Sequence, residues 1–269
     1  MSWCDIGVNF IDSRLEVEPV IARSLEAEVN QIIITGTSVN VSKAAIDLAQ
    51  SSPKHLFSTV GVHPHHASEF NAQTQNTLRK LAVSSQVVAI GECGLDYNRN
   101  FSTPAEQIYA FEQQLELACE LKLPVFLHER DAFDEQLNLL KKYQNQLMGG
   151  VAHCFTGTIE QMQAYLDLGL FIGITGWVCD PKRGEALRAA VKALPIERLL
   201  LETDAPYLRP KGLANNRKVD KGNNEPAYLP YIAEHVANIM QLDLLTVRNA
   251  SMNNSQMLFA LPSNEAKNA

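Results

Sequence analysis

A chain of 269 residues with 46% hydrophobic and 20% charged residues has the make-up of a folded globular protein, which excludes a disordered or fibrous polypeptide and suits one α/β barrel domain. The formal net charge of -7 excludes broad attraction of nucleic acid over the whole surface, although it leaves room for a local basic patch. Five cysteines, odd in number and without a CxxC pair, exclude a disulfide framework and fit a reducing compartment.

The opening MSWCDIG has no basic segment followed by a long apolar run, and the most apolar window, Leu168 to Cys179, is short and interrupted by Gly and Thr. The expected protein is cytoplasmic, monomeric and without a membrane span. Along the chain, short apolar runs alternate with longer amphipathic ones. Trp3–Ile6 leads to a helix at about Pro19–Val29, Gln31–Thr35 to Val41–Gln50, and Leu56–Val62 to Thr74–Ala82. Val87–Gly91 precedes Pro104–Leu121, where Thr103, Pro104 and Glu106 form a capping box with proline at the first helical position. Ile108, Phe111, Leu115 and Ala118 then share one helical face. Val125–Leu127 precedes Ala132–Tyr143, Val151–Ala152 precedes Ile159–Asp167, and Phe171–Ile174 precedes Gly184–Ala193. Leu199–Leu201 precedes a final pair of helices, Tyr228–Met240 and Leu244–Phe259.

Eight strand-then-helix units imply a parallel sheet and, at this length, a (β/α)8 TIM barrel. An open doubly wound sheet is the rival, but no Gly-rich phosphate loop follows the first strand. One domain is expected over residues 1–261, with Leu208–Asn224 as a long loop and residues 262–269 as a frayed tail.

In such a barrel the active site lies at the C-terminal ends of the strands. Strand three ends in Gly61-Val62-His63-Pro64-His65, strand four in Glu92 with Asp96 close behind, and strand five in His128-Glu129-Arg130. Strand six ends in His153-Cys154-Phe155, and strand eight in Glu202-Thr203-Asp204. Four of the seven histidines thus stand at the same end of different strands. A carboxylate at the end of a buried strand is costly unless its charge is compensated, and imidazole with carboxylate is a ligand set for a divalent metal. Residues two apart share a strand face, which pairs Glu202 with Asp204, His128 with Arg130 and His63 with His65. Glu202 is then a residue that orients a ligand. Cys93 and Cys154 fall one step out of phase and are read as small core residues turned toward the helices.

The segments GVHPH, AIGECGLDYNRN, LHER, HCFTG, ETDAPYL and NNEP, in this order and spacing, resemble the TatD family of metal-dependent deoxyribonucleases, within the amidohydrolase-like barrels. GITGWVCD and the opening DIGVN resemble the branch that gives the family its name. The resemblance spans about Asp5 to Phe259. It implies a hydrolase of DNA phosphodiester bonds, usually dependent on magnesium and often a 3′-to-5′ exonuclease, with single-stranded DNA and RNA as candidate substrates and DNA repair or degradation as its setting. Matched motif by motif, Glu92 is similar to the family's metal-bridging carboxylate, and His128, His153 and Asp204 resemble its other metal ligands. His63 and His65 resemble residues around the scissile phosphate. One departure stands out: most of the family opens with an HxH pair, and here the matching positions are Gly7 and Asn9. The remaining set suffices for one ion, with one tight site at most expected in the free protein.

Basic residues cluster in the loops after strands four, five, seven and eight (Arg99, Arg130, Lys182, Arg183, Arg209, Lys211, Arg217, Lys218 and Lys221), which suits a polyanion whose binding is sensitive to salt. Tyr97, Phe155, Trp177 and Tyr207 fall near the same mouth of the barrel, where aromatic rings serve for stacking on bases or for packing. Asp204, the carboxylate at the last strand's end, is the candidate general base, and His63, His65 and Arg130 are the candidate phosphate holders. Two rival readings stand beside the nuclease: an amide or lactone hydrolase on the same scaffold, and a non-catalytic barrel with its site decayed at Gly7 and Asn9.

Overall fold

Apolar runs that start and stop abruptly form strands here because helices cover the faces of a parallel sheet, so the strands need no polar alternation. The computed structural model of the chain describes residues 2–214 and 222–263. Its regular elements are β1 (Trp3–Val8), α1 (Val17–Glu26), β2 (Val29–Ile34), α2 (Val39–Ser51), β3 (Leu56–Val60), α3 (Ala72–Leu81), β4 (Val87–Asp96) and α4 (Pro104–Leu121). They continue with β5 (Val125–Arg130), α5 (Phe133–Tyr143), β6 (Gly150–Ala152), α6 (Ile159–Asp167), β7 (Phe171–Ile174), α7 (Glu185–Ala193), β8 (Leu199–Leu201), α8 (Leu229–Met240) and α9 (Leu244–Phe259). The strands lie in one sheet in chain order from β1 to β8, with β3 to β7 pairing in parallel and a parallel bridge joining Val8, at the end of β1, to Ala205 beyond β8. This is the (β/α)8 TIM-barrel class that the alternation predicts.

Four short 3-10 turns, Pro64–Glu69, Gly176–Cys179, Ile196–Arg198 and Pro226–Tyr228, have no counterpart in the sequence reading, because a turn that short carries no periodicity. Residues 215–221 and 264–269 lie outside the described residues, and with them most of the tail and the middle of the loop expected over Leu208–Asn224.

By packing, the chain divides into two compact units. One is built from the residues up to Ile33, Cys154–Met162 and those from Gly173 onward, around Ile6, Ile32, Leu200 and Ile232, all essentially inaccessible to water. The other is built from Ile34–His153 and Gln163–Ile172, around Ile90, Leu95, Phe111, Leu115 and Phe126. Burial of side chains of this size contributes about 1.5–3 kcal/mol each.

In the second unit α4 does more than cover the sheet. Its start follows from local sequence: Glu106 N–H donates to Thr103 Oγ1 at 3.4 Å and Thr103 N–H to Glu106 Oε2 at 2.7 Å, a reciprocal cap worth about 1 kcal/mol. Two glutamines on its buried face then hold strand ends. Gln114 accepts from Val62 N–H at 2.8 Å and donates to Val62 C=O at 3.1 Å; Gln107 does the same for Asp96, at 2.8 and 3.0 Å. Gln136 of α5 accepts from Leu95 N–H at 3.0 Å. Each amide supplies the partners a neighbouring strand would have given, so backbone that leaves the sheet stays paired and fixed.

Candidate metal centre

Strand β4 continues five residues beyond the apolar run read from the sequence, and glycine allows it. Gly91 and Gly94 both have φ of 142°, and a Cβ would stand 2.2 Å from Phe126 O at Gly91 and 1.9 Å from His128 O at Gly94. Without side chains there, β4 lies close against β5 as far as the pair Asp96–Arg130. Glu92 is carried into the second unit's cluster of imidazoles, its own N–H donating to Gly36 C=O at 2.8 Å. His63 follows β3 and precedes a Pro64 turn, and His153 follows β6 directly, with its N–H on Leu127 C=O at 2.9 Å.

Three imidazoles converge on one oxygen. Glu92 Oε1 lies 2.9 Å from His128 Nδ1, 3.0 Å from His153 Nε2 and 3.4 Å from His63 Nε2. His63, Glu92 and His128 each offer an atom within 4.8 Å of the others, a spacing open to a metal ion. His65 Nε2 lies 2.8 Å from Asp96 Oδ2. His128 Nε2 is buried without a hydrogen-bond partner, and its nearest carboxylate oxygen, Asp96 Oδ2, is 3.4 Å away. A buried imidazole nitrogen so placed is open to an ion or a water, and hard carboxylate with imidazole is a donor set that divalent ions accept.

Asp96 is the residue the sequence reading undervalued. It is 1% exposed and accepts from the N–H groups of Asn98 and Arg99 at 3.0 and 2.9 Å. The signal was present in the spacing, since Glu92 and Asp96 are four apart and share a strand face once the strand is known to extend so far. Arg130, by contrast, is exposed and makes no ion pair among the described residues, and its backbone C=O accepts from Tyr97 N–H at 2.9 Å.

The electrostatics keep this cluster polarised. Burial works to raise the Glu92 carboxyl, but His153, His63 and the hydrogen bonds from His128 and His153 hold it well below the usual carboxylate range. Burial pulls His63 well below the ordinary imidazole value, against the attraction of Glu92. Burial also pulls on His128, yet Asp96 and Glu92 outweigh it and raise the group. Asp96 is depressed despite its burial by His128, Arg99 N–H and His65.

Asp204 belongs to the other unit, where a separate network fixes it. Its φ of 54° is left-handed, costly for a residue with a side chain and held only where the surroundings over-determine it. Asp204 N–H donates to Gly7 C=O at 2.9 Å and Asn9 N–H to Ala205 C=O at 2.8 Å. Asn9 Nδ2 donates to Asp204 Oδ1 at 2.9 Å. Below it, Asp5 accepts from Thr203 N–H at 2.9 Å, Thr203 Oγ1 at 2.6 Å and Gly7 N–H at 3.3 Å. Glu202, fully buried, accepts from Cys154 N–H at 2.6 Å. Cys93 is a core residue as expected. Cys154 is not: it is half-buried, with φ of 46° and its thiol 3.8 Å from Thr175 Oγ1, because the chain turns out of the strand at that residue rather than keeping its alternation.

Burial pushes the Asp5 carboxyl up to about 8 in spite of its three donors. The folded chain therefore holds a proton there that the unfolded chain has released, so this contribution is fully present below about pH 4 and is lost as pH rises toward 8. Between pH 5 and 8 wild-type stability should fall relative to Asp5→Asn by about 1 kcal/mol per pH unit. Denaturant unfolding of both proteins across that range measures it; parallel profiles would mean that Asp5 stays ionised throughout.

The family model described as TatD related DNase matches residues 4–260. The chain is 53% identical over 235 residues to a protein of Pantoea sp. (strain At-9b) named 3′-5′ ssDNA/RNA exonuclease TatD, covering 87% of this chain and 90% of that one. A protein of the same name from Erwinia tasmaniensis is 48% identical over 259 residues, covering 96% and 99%. Among solved structures, a TatD family hydrolase from Entamoeba histolytica is similar with a TM-score of 0.87 at 29% identity, covering 97% of this chain and 99% of that one.

Proposed function

We propose that this chain, which belongs to the TatD-related DNase family, is a magnesium-dependent 3′-to-5′ exonuclease acting on single-stranded DNA and on RNA. The observation that carries the reading is the buried Glu92 carboxylate among three imidazoles, beside a buried His128 Nε2 with no hydrogen-bond partner. Glu92, His128, His153 and Asp204 are assigned to the metal. A divalent ion held there supplies Lewis acidity toward a non-bridging phosphate oxygen and lowers the pKa of a water.

The chain's own groups divide the remaining work. His63 Nδ1 accepts from His65 N–H at 3.1 Å, so a neutral His63 carries its ring proton on Nε2, the nitrogen that faces Glu92. That tautomer makes His63 a donor to an anion rather than a ligand, and supports its assignment, with His65 and Arg130, to the scissile phosphate. Asp204 takes the proton of the attacking water, and the hydrogen bond from Asn9 sets its orientation. All these residues come from one chain, so the reading needs no partner subunit. No helix among the described residues is long and apolar enough to cross a membrane, and five cysteines without a disulfide suit the cytoplasm.

The deciding experiment incubates purified protein with end-labelled single- and double-stranded DNA and RNA, with magnesium or EDTA. Shortening of single strands from the 3′ end, with magnesium alone, is expected; hydrolysis of small esters or amides without cleavage of nucleic acid would overturn the reading. The basic rim gives a second test. Of Lys211, Arg217, Lys218 and Lys221, the last three lie outside the described residues. Replacing all four by Ser should lower affinity for single strands and flatten its salt dependence by about 0.7 in log–log slope per lost phosphate contact. An unchanged slope would show that the loop faces away from substrate.

A further inference from the structure

Three residues beyond Asp204, a stacked pair stands at the surface without a part in the fold's core. The Arg14 guanidinium lies 4.3 Å from the centre of the Tyr207 ring. Asp12 holds that guanidinium with two bonds, 2.9 Å from Nε and 2.6 Å from Nη2, and accepts from Tyr207 Oη at 3.3 Å. Asn223 Nδ2 ties down the Arg14 backbone at 3.1 Å. Tyr207 is nonetheless 46% exposed, and the Arg14 side chain is 44% exposed. The pair is anchored to the Asp204 segment, for Tyr207 N–H donates to Asp204 C=O at 2.9 Å.

Stability does not account for this construction. Surface ion pairs contribute little, and nearly half of Tyr207 is left in contact with water. What the arrangement does provide is an aromatic ring with a guanidinium over it, both held in place by a carboxylate before any ligand arrives. Unpaired nucleobases stack on surfaces of that kind without regard to sequence, and a guanidinium layer adds cation–π attraction. Asp12 also offsets the arginine's charge, which favours a role as a planar layer over a role as a phosphate clamp. The device recurs beyond β7, where Asp180 holds Arg183 over Trp177, with 4.3 Å from guanidinium to ring, but there the indole is only partly exposed.

We propose that the Arg14–Tyr207 stack is a base-binding platform that holds an unpaired nucleobase of the substrate strand next to the Asp204 segment. The proposal rests on the nuclease reading above. The test is a cycle of two changes: Tyr207→Leu in the protein, and removal of the bases from the last three nucleotides at the digested end of a single-stranded DNA. Tyr207→Leu should raise KM for the intact oligonucleotide about 5- to 150-fold, and Tyr207→Phe should restore most of that affinity. Arg14→Met should weaken it in the same sense. The loss from Tyr207→Leu and the loss from base removal should not add, because both delete one stacking contact.

Additive losses, or equal KM values for wild type and Tyr207→Leu on the intact strand, would overturn the platform. A wild-type protein that cleaves neither oligonucleotide would instead overturn the nuclease reading and the platform with it. Circular dichroism of each variant separates lost binding from lost folding.

Discussion

Glu92→Gln should reduce turnover of an end-labelled single strand by about 10³-fold or more while the protein remains folded. The substitution keeps the volume of the side chain, so the close contact of β4 with β5 is undisturbed, but it removes the one negative charge on which His63, His128 and His153 converge. A neutral amide is a weak oxygen ligand, and it presents an NH2 group to imidazole nitrogens that now face an acceptor. Loss of a group aimed at developing charge costs several kcal/mol of transition-state stabilisation. The pH dependence of stability should move as well. Glu92 is held below the usual carboxylate range, so its contribution is present at neutral pH and is lost as pH falls through the folded value. Glu92→Gln should therefore unfold with less sensitivity to acid than wild type. Single-turnover kinetics beside circular dichroism decide the matter, and near wild-type turnover from a folded variant would remove Glu92 from the chemistry.

Chelation should be equally severe. EDTA should abolish cleavage, and magnesium should restore it only well above the protein concentration, because magnesium keeps several waters and is bound through carboxylates and substrate phosphate rather than by a full protein cage. Calorimetric titration of the free protein should find at most one tight divalent site. The reason lies at the end of β1, where Gly7 and, just beyond the strand, Asn9 stand at the positions of an HxH pair. Gly7 has no side chain to give, and its carbonyl accepts from Asp204 N–H. Asn9 turns its amide nitrogen, a donor, toward Asp204. The double change Gly7→His and Asn9→His should raise affinity for transition ions and bring the stoichiometry toward two, since imidazole is a ligand they prefer. Two tight, substrate-independent sites in the unmodified chain would show that β1 is no deficit.

The sequence by itself determined what local chemistry controls. Helix α4 begins and ends where its capping box and apolar spacing put it, and α6 and α9 match their expected limits residue for residue, because caps and periodicity act within a turn or two of the chain. The eight strand-then-helix units, and histidines at the ends of strands three, five and six, were legible for the same reason: alternation and strand limits are local properties. Tertiary structure decided the rest. That β4 runs on to Asp96 depends on a close approach to β5 that Gly91 and Gly94 permit but do not announce. Gln107, Gln114 and Gln136 read as polar interruptions of helix faces, and only the strand ends they hold explain their burial. Asn9 and Asp204, 195 residues apart, meet through one hydrogen bond. No spacing along the chain encodes that contact, because it comes into being only when the strands carrying both residues are laid side by side.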